Sequence, residues 1–161
     1  MGFLGLEPIL DTLRAELAAH LPAKLAALEA SLVPAMELRA VSEIAIGERA
    51  NFTDYPAIAL GPMWTDVQED LGQTRLVQGH RAMLVLHVTA ALEEDLTRLL
   101  LRYVRATSEV IAERRDAGAF GRFRLTFDRK RWSYDPIDLG GHQFIRTARL
   151  ELGGWRAEDL P

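Results

Sequence analysis

The stretch RAMLVLHVTA, residues 81–90, decides the fold that the sequence predicts. Successive side chains of an extended chain point to opposite sides, and both sides are largely apolar here. One side carries Ala82, Leu84, Leu86 and Val88, and the other carries Met83, Val85, His87 and Thr89. A strand that is apolar on both sides lies inside a sheet and is partly covered on each face. We therefore expect a central strand.

The segment that follows, from Leu92 to Arg115, is the clearest helix in the sequence. Apolar residues recur there at three- and four-residue spacing, which makes one stripe. The stripe consists of Leu92, Leu96, Leu99, Tyr103, Ala106, Val110 and Ile111, and Leu100 and Val104 widen it. Acidic residues fill the first turn and arginines the last, which suits the helix dipole. We predict that Leu96, Leu99, Tyr103 and Val110 are buried against the sheet.

The first 35 residues predict two helices. Leucines repeat along the segment, but Pro22 interrupts it. Proline lacks the N–H and clashes with the preceding turn. The first helix is therefore expected to end near His20, and the second to run from Ala23 to Leu32.

Four further stretches have the alternation of strands. Two lie before the central strand, SEIAIGER (42–49) and YPAIAL (55–60), and two lie after the long helix, at 122–132 and 142–152. The tail, 153–161, reads as loose. This order of elements predicts a single α+β domain over residues 1–161, with a mostly antiparallel sheet of about four strands and helices packed on one face.

A long polar segment, residues 63–79, separates two of these strands. Hairpin loops usually need two to five residues, so the segment is either a long loop or a hairpin arm. Its apolar residues are too few to hold it as an independent unit. We expect it to contact another protein, with Trp64 as an anchor. The candidate interface residues are Trp64, Asp66, Glu69, Asp70 and Arg75.

Composition and motifs argue against catalysis. The formal net charge is −4 and there are no cysteines, which excludes disulfides, thiolate metal sites and a cysteine nucleophile. The four histidines have no metal-ligand spacing, and His80 and His87 are expected to face opposite sides of one strand. No nucleophile elbow or phosphate loop occurs. We expect no catalytic residues, cofactor or metal, and no membrane partner, since no apolar run reaches spanning length.

A basic cluster on the last strands is the remaining candidate site. It comprises Arg122, Arg124, Arg129, Lys130 and Arg131, with Arg146 and Arg149 on the neighbouring strand. It could be a surface for nucleic acid or an acidic partner, or a solvated strand face whose charges discourage edge pairing. A solvated face or a protein contact is favoured over nucleic-acid binding, because the chain as a whole is acidic.

The order of elements resembles that of the tail terminator, or tail completion, proteins of long-tailed bacteriophages. The resemblance covers about 100 residues, from Phe52 to Leu152, and is one of pattern. It runs through an N-terminal helix (LEPILDTLRAELAAHL), the proline-bearing strand YPAIAL, a long loop and the strand RAMLVLHVTA. The helix LEEDLTRLLLRYVRATSEVI follows, and the strands FGRFRLTFDRKRWSYD and HQFIRTARLEL close the domain.

The resemblance implies a structural role in the virion, at the tail or neck, after synthesis in the host cytoplasm. Such proteins form a ring, typically of six copies, that caps the tail tube, stops its growth and joins the tail to the head. The expected partners are other copies of the chain, the tube protein and a head–tail connector or stopper, with DNA passing through the lumen. An adjacent neck or head-closure component is the alternative. An enzyme using the space between sheet and helix, or a nucleic-acid-binding module, is a more distant one.

Overall fold

The computed structural model describes residues 5–49, 51–69, 75–126 and 132–159. The elements are α1 (Glu7–Ser31), β1 (Glu43–Ile46), β2 (Ala57–Glu69), β3 (Arg75–Ala90), α2 (Glu93–Asp116), β4 (Arg124–Thr126), β5 (Trp132–Tyr134), β6 (Asp138–Gly140) and β7 (Gln143–Asp159). Two helices pack against one sheet, which confirms the α+β prediction. Among the described residues, no helix is long and apolar enough to cross a membrane.

Over the described residues the sheet has seven strands, so the expected number of about four was too low. Its order is β1-β2-β3-β7-β4, with β5 and β6 also paired to β7. β1 pairs with β2 in parallel, and the other pairings are antiparallel. The predicted turn region 133–141 contains β6 and most of β5. Strands of three residues carry too little alternation to be recognised in a sequence.

β3 is the central strand, as predicted, with β2 on one side and β7 on the other. Its register aligns Leu84 with Leu60 and Leu150, and Leu86 with Ile58 and Ala148. All six of these side chains are buried in one core cluster together with leucines of both helices. The alternate residues face away from the helices, and we call that side of the sheet the open face.

α1 is one continuous helix, so the prediction of two helices was wrong. Pro22 lies inside it and is exposed to solvent. The missing N–H would have bonded the carbonyl of Ala18, which is on the exposed side as well. A single leucine stripe holds both halves on the core: Leu10, Leu13, Leu17, Leu21, Leu25 and Leu28. Burial of that stripe outweighs one lost hydrogen bond and the local clash.

α2 begins at Glu93 and buries most of the predicted stripe. Leu96, Tyr103 and Val110 are buried, as predicted. Leu99 is only half-buried, and Leu100 is buried in its place. Leu92 precedes the helix and is 63% exposed, which corrects its placement in the stripe. The two helices are tied by Lys24–Glu113 and Arg114–Glu16 ion pairs, each at 2.5 Å.

The long polar segment, in its described parts 63–69 and 75–79, forms the far end of the β2–β3 hairpin. Pairing continues to Glu69 opposite Leu76, and β7 stays paired with β3 as far as Asp159 opposite Arg75. We call residues 63–69 and 75–79 the hairpin arm. The tail is therefore ordered as strand to Asp159, and the expectation of a loose tail was wrong. Gly153 and Gly154, at the start of the tail, lie within β7.

Gly154 lies where β7 has no room for a side chain. Gly154→Ala is therefore expected to lower the free energy of unfolding by about 1–3 kcal/mol. A Cβ there would overlap the ring of Phe123 and lie 2.8 Å from the carbonyl oxygen of Arg124. That oxygen belongs to β4, whose Leu125 pairs with Gly154. β4 would have to move away from β7. Urea denaturation measures the change.

Gly79→Ala is the matched control, on the neighbouring strand. A Cβ at Gly79 would lie 3.8 Å from the ring of Trp64, an ordinary contact. It is expected to leave stability unchanged or slightly raised, because alanine reduces the freedom of the unfolded chain. Equal losses for the two variants would contradict the packing described for β4.

Candidate functional site

The open face of the sheet carries a groove of about 840 Å³. Its floor includes Ala59, Met83 and Val85, which alternate with core residues along β2 and β3. Residues 47–49 and 51 form one side, and Asp135, Pro136 and Asp138 form the other. The groove exists because both helices pack on the opposite face and leave this one to short connecting segments.

One end of the groove is closed by an aromatic residue over a histidine. The ring of Phe52 lies 5.1 Å from that of His87, and both side chains are buried. Nε2 of His87 has no hydrogen-bond partner among the described residues. Burial, followed by the charge of Arg149, holds the pKa of His87 below its ordinary value. The imidazole is therefore kept neutral beneath Phe52.

The other side of the groove is fastened by Asp135. Its carboxylate accepts hydrogen bonds from Thr147 and from two nitrogens of Arg149, the latter at 2.8 and 3.0 Å. These bonds, with that from Arg149 the strongest, lower the pKa of Asp135. The carbonyl oxygen of Asp135 also accepts a bond from Arg146 at 3.1 Å. Both arginines of β7 are thus engaged within the chain.

Acidification is expected to destabilise the protein, through His87 first and Asp135 at lower pH. Both groups have a lower pKa folded than unfolded, so the unfolded state binds more protons. The His87 contribution is lost as pH falls below about 6.5, and that of Asp135 as pH falls below about 3.9. His80, whose pKa is also lowered by burial, acts in the first window too. Urea denaturation between about pH 7.5 and pH 5 covers the histidine window.

His87→Gln is the informative variant for this pH dependence. It removes one titrating group and retains His80, so the fall in stability across the histidine window should become smaller without vanishing. Slopes identical to those of the original chain would show that His87 is not held neutral by the fold.

Two tryptophans, each stacked with an arginine, lie on the open face of the sheet, one on the hairpin arm and one on β7. A bulge between Pro62 and Trp64 brings Trp64 beside Arg81, whose guanidinium lies 5.4 Å from the indole ring. On β7, Trp155 is stacked in the same way by Arg124 of β4, at 5.0 Å. The tryptophans are 48% and 38% exposed. We call Trp64, Arg81, Arg124 and Trp155 the arm patch.

The structure brings together only part of the predicted interface. Trp64 and Arg124 belong to the arm patch, and Asp66 and Arg122 are exposed nearby, Arg122 beside a small cavity with His80. Glu69 pairs with Leu76 in the hairpin and Arg75 pairs with Asp159 of β7, but the side chains of Glu69 and Arg75 lie outside the described residues. Asp70, Arg129, Lys130 and Arg131 also lie outside them.

Sequence reasoning missed Arg81 and Trp155. Arg81 was counted only as the start of a core strand, and Trp155 was assigned to a loose tail. The signal available in the sequence was the residue type, since tryptophan and arginine are both enriched in interfaces. Their proximity depends on the pairing of β3 with β7, and the sequence alone gives no register for it.

The histidines behave as predicted with respect to one another. His80 faces the helices and accepts or donates a hydrogen bond with Thr65 at 2.9 Å, whereas His87 faces the groove. The part of the chain that the structure describes contains no group of three or more metal-ligand side chains.

Comparison with known proteins gives a likeness to solved structures and no family. No protein-family model matches the chain, and no curated protein matches it. Among solved structures, a chain of the "Virion of native gene transfer agent (GTA) particle" is 16% identical, and the match covers 88% of this chain and 95% of that one with a TM-score of 0.38. At that TM-score the likeness is a coarse one.

Proposed function

We propose that this chain is a structural component of a phage-like virion, where copies of it form a ring on the end of the tail tube. The ring ends tail growth and joins tail to head, and DNA passes through its lumen. Six copies and a place at the tail–neck junction follow from the resemblance to tail terminator proteins. Other copies of the chain, the tube protein and a connector or stopper protein are its partners.

The arm patch is the observation that carries this proposal. It presents two tryptophans, Trp64 and Trp155, that are 48% and 38% exposed on neighbouring parts of the sheet. Large exposed aromatics beside arginines are typical of the centre of a protein–protein interface. A ring subunit needs such surfaces, because it contacts neighbouring subunits as well as the structures above and below it.

The polar groups of the groove support a structural role over a catalytic one. Asp135 is occupied by Thr147 and Arg149, and His87 is covered by Phe52. A general base must reach the proton that it abstracts, and neither group is presented in this way. Asp135 instead fastens residues 135–138 to β7, which shapes a face for contact with protein.

Tail length tests the proposal. Removing the chain from cells that produce the particles is expected to give tails of uncontrolled length that fail to join heads. Adding the purified chain to such tails should cap them and restore joining, as seen by electron microscopy. Tails of normal length on complete particles without the chain would overturn the proposal. Normal tail length with a failure of joining alone would assign the chain to the adjacent neck instead.

Weak binding to duplex DNA is expected, even though DNA passes through the ring. The net charge is −4, and Arg146 and Arg149 are engaged with Asp135. Affinity for duplex DNA at physiological salt should be weaker than about 1 μM, as measured by fluorescence anisotropy over a salt series. A sub-micromolar affinity with a steep salt dependence would favour the nucleic-acid-binding alternative.

A further inference from the structure

The two ends of the central sheet differ in chemistry. One end carries the arm patch, which presents two tryptophans and the guanidinium groups of Arg81 and Arg124. Glu151 pairs with Arg81 at 3.1 Å, and Arg122 is exposed close by. This end is therefore aromatic and rich in arginine.

The opposite end is apolar and acidic. Leu92 and Leu139 are each 63% exposed there, the largest exposed fractions among the leucines of the described residues. Glu93 and Glu94 follow Leu92 in the first turn of α2, and Asp138 precedes Leu139 in β6. We call these five residues the acidic end.

The strand pairing places all five at one end. Leu92 comes two residues after Ala90, the last residue of β3. Ala90 pairs with Phe144 of β7, and Phe144 pairs with Leu139 of β6. With neighbouring strands about 4.8 Å apart, Leu139 lies roughly 10 Å across the sheet from the end of β3.

The two surfaces cannot meet within one molecule. Arg81 and Ala90 are nine residues apart on β3, a separation of about 30 Å at 3.3 Å per residue. They can meet only between two copies, and then the contact joins unlike surfaces. Repetition of a contact between unlike surfaces closes into a ring when the rotation allows.

We propose that the arm patch of one copy binds the acidic end of the next copy. Trp64 and Trp155 cover the exposed Leu92 and Leu139, and the guanidinium group of Arg124 faces Glu93 and Asp138. Glu94 is paired with Arg98 of its own helix at 2.7 Å, and Arg81 with Glu151, so these two contribute less to the contact. The apolar pairs supply affinity, and the opposite charges select this orientation over contact between like ends. The inference rests on the proposed ring and names the surfaces that build it.

Cross-linking tests the orientation directly, because the chain contains no cysteine. Met63→Cys places a thiol beside the arm patch, at an exposed position, and His142→Cys places one in the exposed turn beside Leu139. A short bis-maleimide should link the two variants when they are mixed at high concentration, and should link neither variant to itself. Links within each single-variant sample would show contact between like ends and overturn the inference, and so would the absence of links in the mixture.

Charge reversal supplies a second readout. Arg124→Glu and Glu93→Arg are each expected to weaken association in sedimentation experiments at least about tenfold, and a mixture of the two variants should recover part of the loss. Arg14→Glu, on the exposed side of α1, is the control and should have no effect. Unchanged association in both test variants would overturn the inference. If those variants still cap tails normally, the proposed function stands without these surfaces. If the original chain fails the tail-length test, the function itself fails.

Discussion

A Trp64→Ala, Trp155→Ala double variant should remain folded and lose ring formation. Both indoles are substantially exposed on the open face, so their removal takes little from the core. In an interface, truncation of a central tryptophan commonly costs about 2 kcal/mol or more. Two such losses correspond to a decrease in affinity of about a thousandfold. Sedimentation and tail capping measure assembly, and urea denaturation measures the fold.

Tyr134→Ala is the matched control for the double variant. Tyr134 is an aromatic residue on β5, 42% exposed, and it is stacked by Arg146 at 5.9 Å, away from the arm patch. It should keep full assembly. Normal capping by the double tryptophan variant would remove the arm patch from the interface, whereas loss of folding would show that the tryptophans belong to the core.

Leu100→Ala should lower the free energy of unfolding by about 2–5 kcal/mol. The Leu100 side chain is 1% exposed, between α2 and the sheet, so truncation leaves a cavity as well as losing buried apolar surface. Denaturation in urea gives the value. Leu99, which the sequence placed on this face, is half-buried, and its truncation should cost less.

Leu101→Ala provides the comparison one residue along the same helix. Leu101 is 49% exposed, and alanine is the better helix former. Its effect should stay within about 0.5 kcal/mol. Similar losses at positions 100 and 101 would mean that α2 is rotated relative to the face described.

The sequence predicted the elements whose patterns are local and long. β3 is apolar on both sides over many residues, and α2 has apolar positions at three- and four-residue spacing with charges suited to its ends. Pro22 misled the reading of α1, because a proline's cost is local whereas the benefit of burying six leucines belongs to the whole helix. Whether a helix continues through a proline therefore depends on packing against residues far away in the chain.

Non-local pairing also explains what was missed at the candidate site. Trp64 was identified from its own segment, but Trp155 reaches it only because Gly79, between them on β3, pairs with Trp155 and lies under the ring of Trp64. The tail that begins at Gly153 was expected to be loose, although Gly154 is required where Phe123 and β4 approach β7. The reason for Gly154 lies in another strand.

The arrangement of the outer strands affects how readily the sheet edges could pair with the backbone of another chain. On one side the sheet ends in β1, which has four residues, and on the other it ends in β4, β5 and β6, which have three residues each. An unbroken outer strand is a template for backbone pairing with further chains, and such pairing propagates into fibrils. The three short strands interrupt the border along β7, and β1 covers only the first four residues of β2 on the other side. Pro62 and the irregularity before Trp64 break the β2 edge just beyond β1, and such features discourage backbone pairing with a further chain.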